Sequence, residues 1–574
     1  MMPCPPQLKV FFQRWLVAFV VGLCMLLGCE SQPGDESAVA PWGARPNIVW
    51  LVAEDLSPVI PPFGDSTITT PTLSRLTAEG VRYTHVFSPS GVCAPSRAAL
   101  ATGMYPTAIG AQHMRTGPWW AGAAPPEVLA SAQAQMPPGV VPYEALPPPP
   151  VRMLSEYLRQ AGYYTSNNRK EDYQFIKPVT AWDDSSPQAH WRNRAPGQPF
   201  FAVFNFEVTH ESRIWSKGDD PLLVPDTLKV PVPPYLPDTE VVRRDLRRMY
   251  SNIKEMDAQV GEVLRQLETD GLLDSTIVFW FTDHGGPMPR QKRTLYDSGL
   301  RVPLIIRFPS QEHANTIDDQ LMSFVDFLPT VLSLANVDPP DHLHGRAFLG
   351  SYAADTTRPF IHAAADRFDE HYDTIRAVRD HRFKYLRNLR PEQGYYLPVA
   401  YREQMATMQT LLRLRATGTL DQQEALWFRS EKAAEELFDT QTDPHELHNL
   451  ADDPAYAEEL STLRAEYDRW ATAIPDFGLM PEPAYLASIW PEGVQPTTEP
   501  PTAAWQGNTL YLSSTTEGAS IGYQILNGDA VPGPRWEVYT APLPLEPDVR
   551  IVALAHRIGY CPSDPVFLAP DAAR

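Results

Sequence analysis

The residue types and spacing of the run Cys-Ala-Pro-Ser-Arg at 93–97 could support nucleophilic chemistry. Proline fixes φ and donates no backbone hydrogen bond, so Pro95 predicts a helix over 96–102 that excludes Cys93. Cys93 would then lie at a helix N-terminus, where free N–H groups favour an anion, and Arg97 would add a fixed positive charge. The alternative is a buried free cysteine before an ordinary helix, and the motif alone does not decide between the two.

Two largely apolar runs end in clusters of potential metal ligands. Such runs predict strands buried on both faces of a parallel sheet, with the site at their carboxyl ends. Adjacent carboxylates repel each other unless they share a cation, and several oxygen ligands suit Ca²⁺ or Mg²⁺. The imidazole leaves the choice of metal open, and an isolated acidic pair would be an ordinary turn. The candidates are Glu54 and Asp55 after 46–53, and Asp283 and His284 after 276–281.

The whole run 88–115, with the Cys-Ala-Pro-Ser-Arg motif inside it, resembles the signature of the type I sulfatases. In that family the cysteine is oxidised to formylglycine, whose hydrated aldehyde is the nucleophile. The resemblance implies that a formylglycine-generating maturation enzyme modifies Cys93 and that Arg97 stabilises the product. It covers about 46–476 and implies an α/β fold: an alkaline-phosphatase-like sulfatase core with a smaller α+β C-terminal subdomain.

The same resemblance implies the other site residues. Lys170 and Lys292 fall on the family's sulfate-binding lysines, and His210 is the candidate general acid near the leaving-group oxygen. Glu54 departs from the family, which has Asp there, and Asp172 stands where the family has His, so its role stays open. The implied metal is Ca²⁺, with Mg²⁺ as the alternative. Its implied ligands are Glu54, Asp55, Cys93, Asp283 and His284.

Two stretches, 167–173 (NNRKEDY) and 364–388, resemble the heparan N-sulfatase (N-sulfoglucosamine sulfohydrolase) branch of the family. That branch implies a sulfated glycan substrate, but the sugar, the sulfate position and the choice between N- and O-sulfate stay open. Arg367 and Arg376 are predicted to lie at the pocket rim and to bind neighbouring acidic groups of the glycan. The alternative for each arginine is a surface salt bridge.

Composition narrows the class of partner. The chain has 574 residues and a formal net charge of -21, so a broad basic face and a nucleic-acid partner are not expected. Only Cys93 and Cys561 lie beyond the N-terminal segment, so no disulfide framework is expected either.

The first residues read as an export signal. Lys9 and Arg14 precede the apolar run 15–27, and Leu-Leu-Gly-Cys at 26–29 resembles a bacterial lipobox. We therefore expect a signal peptide over 1–29, a lipid on Cys29, a tether over 30–45 and an exported protein anchored to the bacterial cell envelope. An ordinary cleavable signal with an incidental cysteine is the alternative.

The resemblance to the sulfatases implies a catalytic domain over 46–340 and a C-terminal subdomain over 341–480. The remaining pattern predicts a Pro-rich linker over 481–505 and a β-sandwich over 506–574. The sandwich resembles domains appended to bacterial chitobiases. Within the catalytic domain, helices are predicted over 70–80, 151–161, 243–267 and 318–335.

Two rival functions remain open. One is a phosphonate monoester or phosphodiester hydrolase of the same superfamily, which activity on sulfated and phosphorylated aryl esters would separate. The other is a catalytically inactive glycan-binding lipoprotein, against which the intact motif and the candidate metal ligands argue.

Overall fold

A computed structural model of the chain describes residues 45–117, 136–528, 530–546 and 549–569. The predicted signal peptide, the Cys29 anchor and all but the last residue of the tether lie outside these ranges. Within them, no helix combines the length and the apolar character needed to cross a membrane.

The described part of the catalytic domain is built on a nine-stranded mixed sheet. The strand order is β4-β3-β5-β1-β6-β7-β2-β8, and β9 also pairs with β2. Strands β4, β3, β5, β1 and β6 are parallel, whereas β7 runs antiparallel to both β6 and β2. The strands are β1 (Asn47–Ala53), β2 (Val81–Phe87), β3 (Tyr164–Asn168), β4 (Asp184–Ser186), β5 (Phe200–Phe206), β6 (Thr276–Thr282), β7 (Arg301–Arg307), β8 (Thr316–Asp318) and β9 (Met322–Ser323).

Helices cover the sheet and confirm most of the predicted pattern. The predicted helix over 318–335 is wrong in its first half, because β9 pairs with β2 there and the helix begins only at Phe327. The helices are α1 (Pro71–Ala78), α2 (Cys93–Thr102), α3 (Leu154–Gln160), α4 (Ser212–Ser216), α5 (Glu240–Thr269), α6 (Asp297–Leu300), α7 (Phe327–Leu334), α8 (Ala406–Thr417), α9 (Gln422–Ala425), α10 (Ala457–Ala473) and α11 (Glu482–Ile489).

Strand β1 is buried on both faces, as its apolar run predicts. Val49 and Leu51 belong to the core that also contains the apolar stripe of α5. Trp50 points the other way and packs edge-on against Phe327 of α7 at 6.0 Å between ring centroids. Since neighbouring side chains of a strand alternate between faces, this double burial holds the carboxyl end of β1 rigidly.

The C-terminal subdomain contains the expected sheet, and the segment after it differs from the prediction. The sheet β10 (Ile361–Ala365), β11 (Ile375–Arg379), β12 (Phe383–Asn388) and β13 (Glu435–Asp439) is antiparallel. The predicted linker over 481–505 is wrong for its first part: α11 lies there, and Tyr485, Leu486 and Trp490 are buried in a hydrophobic cluster.

The last domain is a small pair of antiparallel sheets, in agreement with the predicted β-sandwich. Leu510, Ile551 and Ala553 contribute to a core shared by the two sheets. One sheet contains β14 (Thr502–Gln506), β15 (Thr509–Ser513) and β18 (Leu543–Pro544), and the other β16 (Ser520–Leu526), β17 (Glu537–Val538), β19 (Arg550–His556) and β20 (Val566–Leu568).

Candidate active site

The candidate site starts where β1 ends. Asp55 adopts a left-handed φ of 46°, an uncommon conformation for a residue with a side chain. Its backbone N–H donates to Oδ1 of Asp283, 3.1 Å away, and its own Oδ2 accepts from the backbone N–H of Glu211 at 2.7 Å. The turn is therefore fixed by residues that follow two neighbouring strands, β6 and β5.

Helix α2 begins at Cys93 itself, so the expectation that Pro95 would exclude the cysteine is wrong. The first N–H groups of a helix have no intrahelical partner, and a proline at the third position therefore loses nothing. The Ser96 hydroxyl donates to the carbonyl of Asp283, which ties this first turn to the end of β6. Cys93 is fully buried.

Four side chains converge at these ends: Asp55, Cys93, Asp283 and His284. Each brings one ligand atom, and all four atoms lie within 4.8 Å of one another. Nε2 of His284 is 3.0 Å from Oδ1 of Asp55 and 3.4 Å from Sγ of Cys93. Two buried carboxylates and an imidazole fit a divalent cation, because adjacent carboxylates are stabilised when they share one.

Glu54 does not join this group. Its Oε1 lies 2.8 Å from Nζ of Lys170 and 3.3 Å from Nη2 of Arg97. The longer side chain thus pairs with two cations of the site. In this structure Glu54 does not contribute an atom to the ligand cluster that was predicted to include it. It holds those cations in place instead.

Three cationic side chains, Arg97, Lys170 and Lys292, surround the cluster as the resemblance implied. Arg97 donates through Nε to Asp283 at 3.2 Å and through Nη1 to Asn205 at 2.7 Å. Lys292 donates to both carboxylate oxygens of Asp55, at 3.0 and 2.7 Å. The Lys170 side chain is 19% exposed, whereas those of Arg97 and Lys292 are almost fully buried.

The charges change the acidity of the groups between them. Burial alone would raise the pKa of the Cys93 thiol, but Lys292, with help from His284 and Lys170, lowers it to about 6. Burial likewise opposes protonation of His284, yet Asp283 and Asp55 raise its pKa to about 10. The position of the Cys93 side chain therefore favours negative charge.

His210 follows β5, as predicted, and reaches the cluster. Its Nε2 lies 3.2 Å from Nζ of Lys292 and 3.9 Å from Oδ2 of Asp55. Its Nδ1 lies 2.9 Å from Oγ of Ser212, which orients the ring. Burial and Lys292 oppose its protonation, but Asp55 and Cys93 keep the pKa of His210 above the ordinary value. A protonated imidazole at this place can act as a general acid.

Sequence reasoning missed two residues that hold this arrangement. Oε1 of Glu211 lies 3.2 Å from Nζ of Lys292, and the Glu211 carboxylate accepts two hydrogen bonds of 2.9 Å from Arg293. Arg293 also donates to Asp369 at 2.6 Å and so connects the site to the C-terminal subdomain. The available signal was their position beside His210 and Lys292 in the chain.

Arg367 and Arg376 do not lie on a pocket rim. Arg367 is 1% exposed and donates to both carboxylate oxygens of Glu482 at 2.7 Å, and Arg376 is fully buried between Asp366 and Asp476. Their guanidinium groups are already bound by carboxylates, so the predicted glycan contacts are wrong in this structure. Both arginines hold the subdomain together.

A potential nucleophile at a helix start, a buried ligand cluster and three converging cations define a hydrolase of anionic esters. The sulfatase family model matches residues 46–186 and 183–337, and the model of the N-sulphoglucosamine sulphohydrolase C-terminal region matches 289–405. The chain therefore belongs to the sulfatase family and is a hydrolase.

Known relatives agree with this assignment. An ulvan-active sulfatase of Formosa agariphila is 48% identical over 98% of this chain and 99% of its own length. Human N-sulphoglucosamine sulphohydrolase is 26% identical over 74% of this chain and 90% of its own length. A solved structure in complex with D-glucosamine-2-N,6-O-disulfate superimposes with a TM-score of 0.52 at 16% identity, over 74% of this chain and 97% of that one. That likeness shows the shared alkaline-phosphatase-like fold.

Proposed function

We propose that this sulfatase removes sulfate from a sulfated saccharide, with ulvan oligosaccharides as the first substrate to test. The observation that carries the chemistry is the position of Cys93, 3.4 Å from His284 and surrounded by Arg97, Lys170 and Lys292. A sulfate group held there meets positive charge on several sides. The 48% identity to an ulvan-active sulfatase supports the saccharide class.

Two of these cations are held in place by carboxylates of the site. Lys292 is held against Asp55, and Lys170 against Glu54, so both ammonium groups are in place before substrate binds. Such fixed charges stabilise the charge that develops on sulfate oxygens without reorganisation during the reaction. His210 would donate its proton to the sugar oxygen as the bond to sulfur breaks.

The proposal includes two groups implied by the family. Oxidation of Cys93 to formylglycine would supply a hydrated aldehyde, and its hydroxyl would be the nucleophile toward sulfur. A divalent cation, Ca²⁺ or Mg²⁺, would be held by Asp55, Asp283 and His284, and it would supply Lewis acidity toward a sulfate oxygen. Lys292 and Lys170 would balance negative charge at both groups.

The test uses the full chain co-expressed with a formylglycine-generating enzyme. Sulfate released from ulvan oligosaccharides is measured by ion chromatography, and the peptide containing Cys93 is examined by mass spectrometry for the aldehyde. We expect both sulfate release and the aldehyde. Turnover of aryl phosphonates without release of saccharide sulfate would instead favour the rival phosphonate hydrolase.

Location is a separate part of the proposal. The lipobox-like run at 26–29 supports an exported protein anchored through Cys29 to the cell envelope. Fractionation of cells that express the Cys29→Ser variant tests it, since loss of the lipid should move the protein from the membrane fraction to the soluble fraction. An unchanged distribution would refute the anchor.

A further inference from the structure

Two aromatic side chains lie beside the candidate general acid. The ring centroid of Tyr401 is 6.3 Å from that of His210 and 5.2 Å from that of Trp215. Tyr401 is 36% exposed and Trp215 is half-buried. Among the described residues, neither the Tyr401 hydroxyl nor the Trp215 indole N–H has a hydrogen-bond partner. The pair thus offers both ring surface and free polar groups next to the site.

The chain around Tyr401 is anchored so that this ring is presented outward. Val399 and Met405 are buried, and Arg402 is only 4% exposed. The Arg402 guanidinium lies 4.8 Å from the Trp427 ring centroid and donates through Nη2 to the carbonyl of Leu397 at 2.5 Å. The residues around Tyr401 are therefore held in place, and the exposure of its ring follows from the local fold.

Trp215 is fixed relative to His210 by a different route. It belongs to α4, whose first residue, Ser212, contacts Nδ1 of His210 through its hydroxyl. The Trp215 ring also packs against the main hydrophobic core. The general acid and one aromatic ring are therefore held by the same short segment, while Tyr401 comes from the C-terminal subdomain.

We propose that Tyr401 and Trp215 form a platform for the pyranose ring that carries the sulfate, an inference that rests on the proposed function. The oxygen that His210 protonates belongs to that sugar, so the ring must lie within about one ring's length of the imidazole. An aromatic surface packs against the C–H face of a pyranose, and the free hydroxyl and indole N–H can bind its hydroxyl groups.

The experiment compares two substrates that differ in the leaving group. Steady-state kinetics are measured with ulvan oligosaccharides and with nitrophenyl sulfate. Tyr401→Ala should lower kcat/KM for the oligosaccharide about tenfold more than for nitrophenyl sulfate, the size expected for one aromatic contact. Tyr401→Phe keeps the ring, so it should retain most of the wild-type preference for the oligosaccharide over nitrophenyl sulfate. Tyr352→Ala, which removes a tyrosine that is 43% exposed elsewhere, is the matched control and should change neither value.

Binding separates this inference from the proposed function. Calorimetry with ulvan oligosaccharides compares the inert Cys93→Ala protein with the same protein also carrying Tyr401→Ala, after melting curves show that both fold. A Kd raised about tenfold supports the platform. An unchanged Kd, or equal kinetic losses on both substrates, overturns it while leaving sulfatase activity on saccharides intact. A wild type that hydrolyses nitrophenyl sulfate but no saccharide overturns the proposed function instead.

Discussion

Two groups of cationic side chains were both predicted from the sequence to serve the substrate site, and the structure separates them. At the sheet's carboxyl ends, Arg97, Lys170 and Lys292 surround Cys93 and share a small set of carboxylates. In the C-terminal subdomain, Arg367 and Arg376 each have carboxylates of their own, Glu482 for one and Asp366 with Asp476 for the other.

The difference shows how a binding charge can be told from a structural one. At the site, Lys292, His284 and Lys170 act on one point, and together they lower the pKa of Cys93 to about 6 against the effect of burial. The charge of Arg376 is balanced by the carboxylates that contact it. Burial alone would lower the pKa of its guanidinium, but Asp366 and Asp476 raise that pKa. Convergence of several cations on one position, more than burial, marks the site.

The largest effect should come from Cys93→Ala. The variant removes the atom from which the nucleophile is made, and the residual rate should fall by at least about a thousandfold, as when other covalent nucleophiles are removed. The small side chain fits the same buried space, so the melting temperature should change little. Sulfate release and a melting curve check this, and a folded variant with substantial activity would refute the role of Cys93.

Asp283→Ala should come next, with a loss of both activity and metal. Asp283 accepts from the backbone of Asp55 and from Arg97, and it contributes one of the clustered ligand atoms. Elemental analysis of the purified variant should show less bound divalent cation than the wild type. The control is Asp270→Ala, an acid that pairs with Arg192 away from the site. Full metal occupancy in Asp283→Ala would contradict the ligand set.

A smaller effect is expected for Glu54→Gln. Glu54 holds Lys170 and Arg97 and does not belong to the ligand cluster, so metal content should stay at the wild-type level. Loss of a charge-assisted contact is worth about 1.5–3 kcal/mol, and if part of it acts on the transition state, kcat should fall about tenfold or more. If the metal is lost as well, Glu54 is a ligand after all, as the sequence suggested.

These residues also show how far sequence reasoning reaches. The apolar runs before Asp55 and Asp283 predicted two buried strands with the site at their carboxyl ends. The structure shows that these two strands are neighbours in the sheet. Helix α2 begins three residues before its predicted start, because the first turn of a helix tolerates proline at its third position. Glu211 and Arg293 could not be assigned, because their function depends on a contact between segments distant in sequence, Glu211 with Arg293 and Arg293 with Asp369.

The buried partner Asp476 of Arg376 is also distant in sequence, so the sequence did not show that this arginine is structural. The smallest effect on activity is expected for its substitution. Arg376→Met removes a buried cation and leaves Asp366 and Asp476 without it, which should cost about 3–5 kcal/mol of stability. Among the described residues, the hydrogen-bond partners of its guanidinium are these carboxylates and backbone carbonyls, so kcat/KM per folded molecule should equal that of the wild type on ulvan oligosaccharides. Arg265→Ala, which breaks the exposed pair with Glu262, is the control and should leave the melting temperature unchanged. Lys170→Met should show the reverse pattern: activity on ulvan oligosaccharides should be lost, while the melting temperature should stay close to that of the wild type. If Arg376→Met instead melts like the wild type and loses activity on the oligosaccharide, Arg376 contacts substrate and the division between the two groups of cations fails.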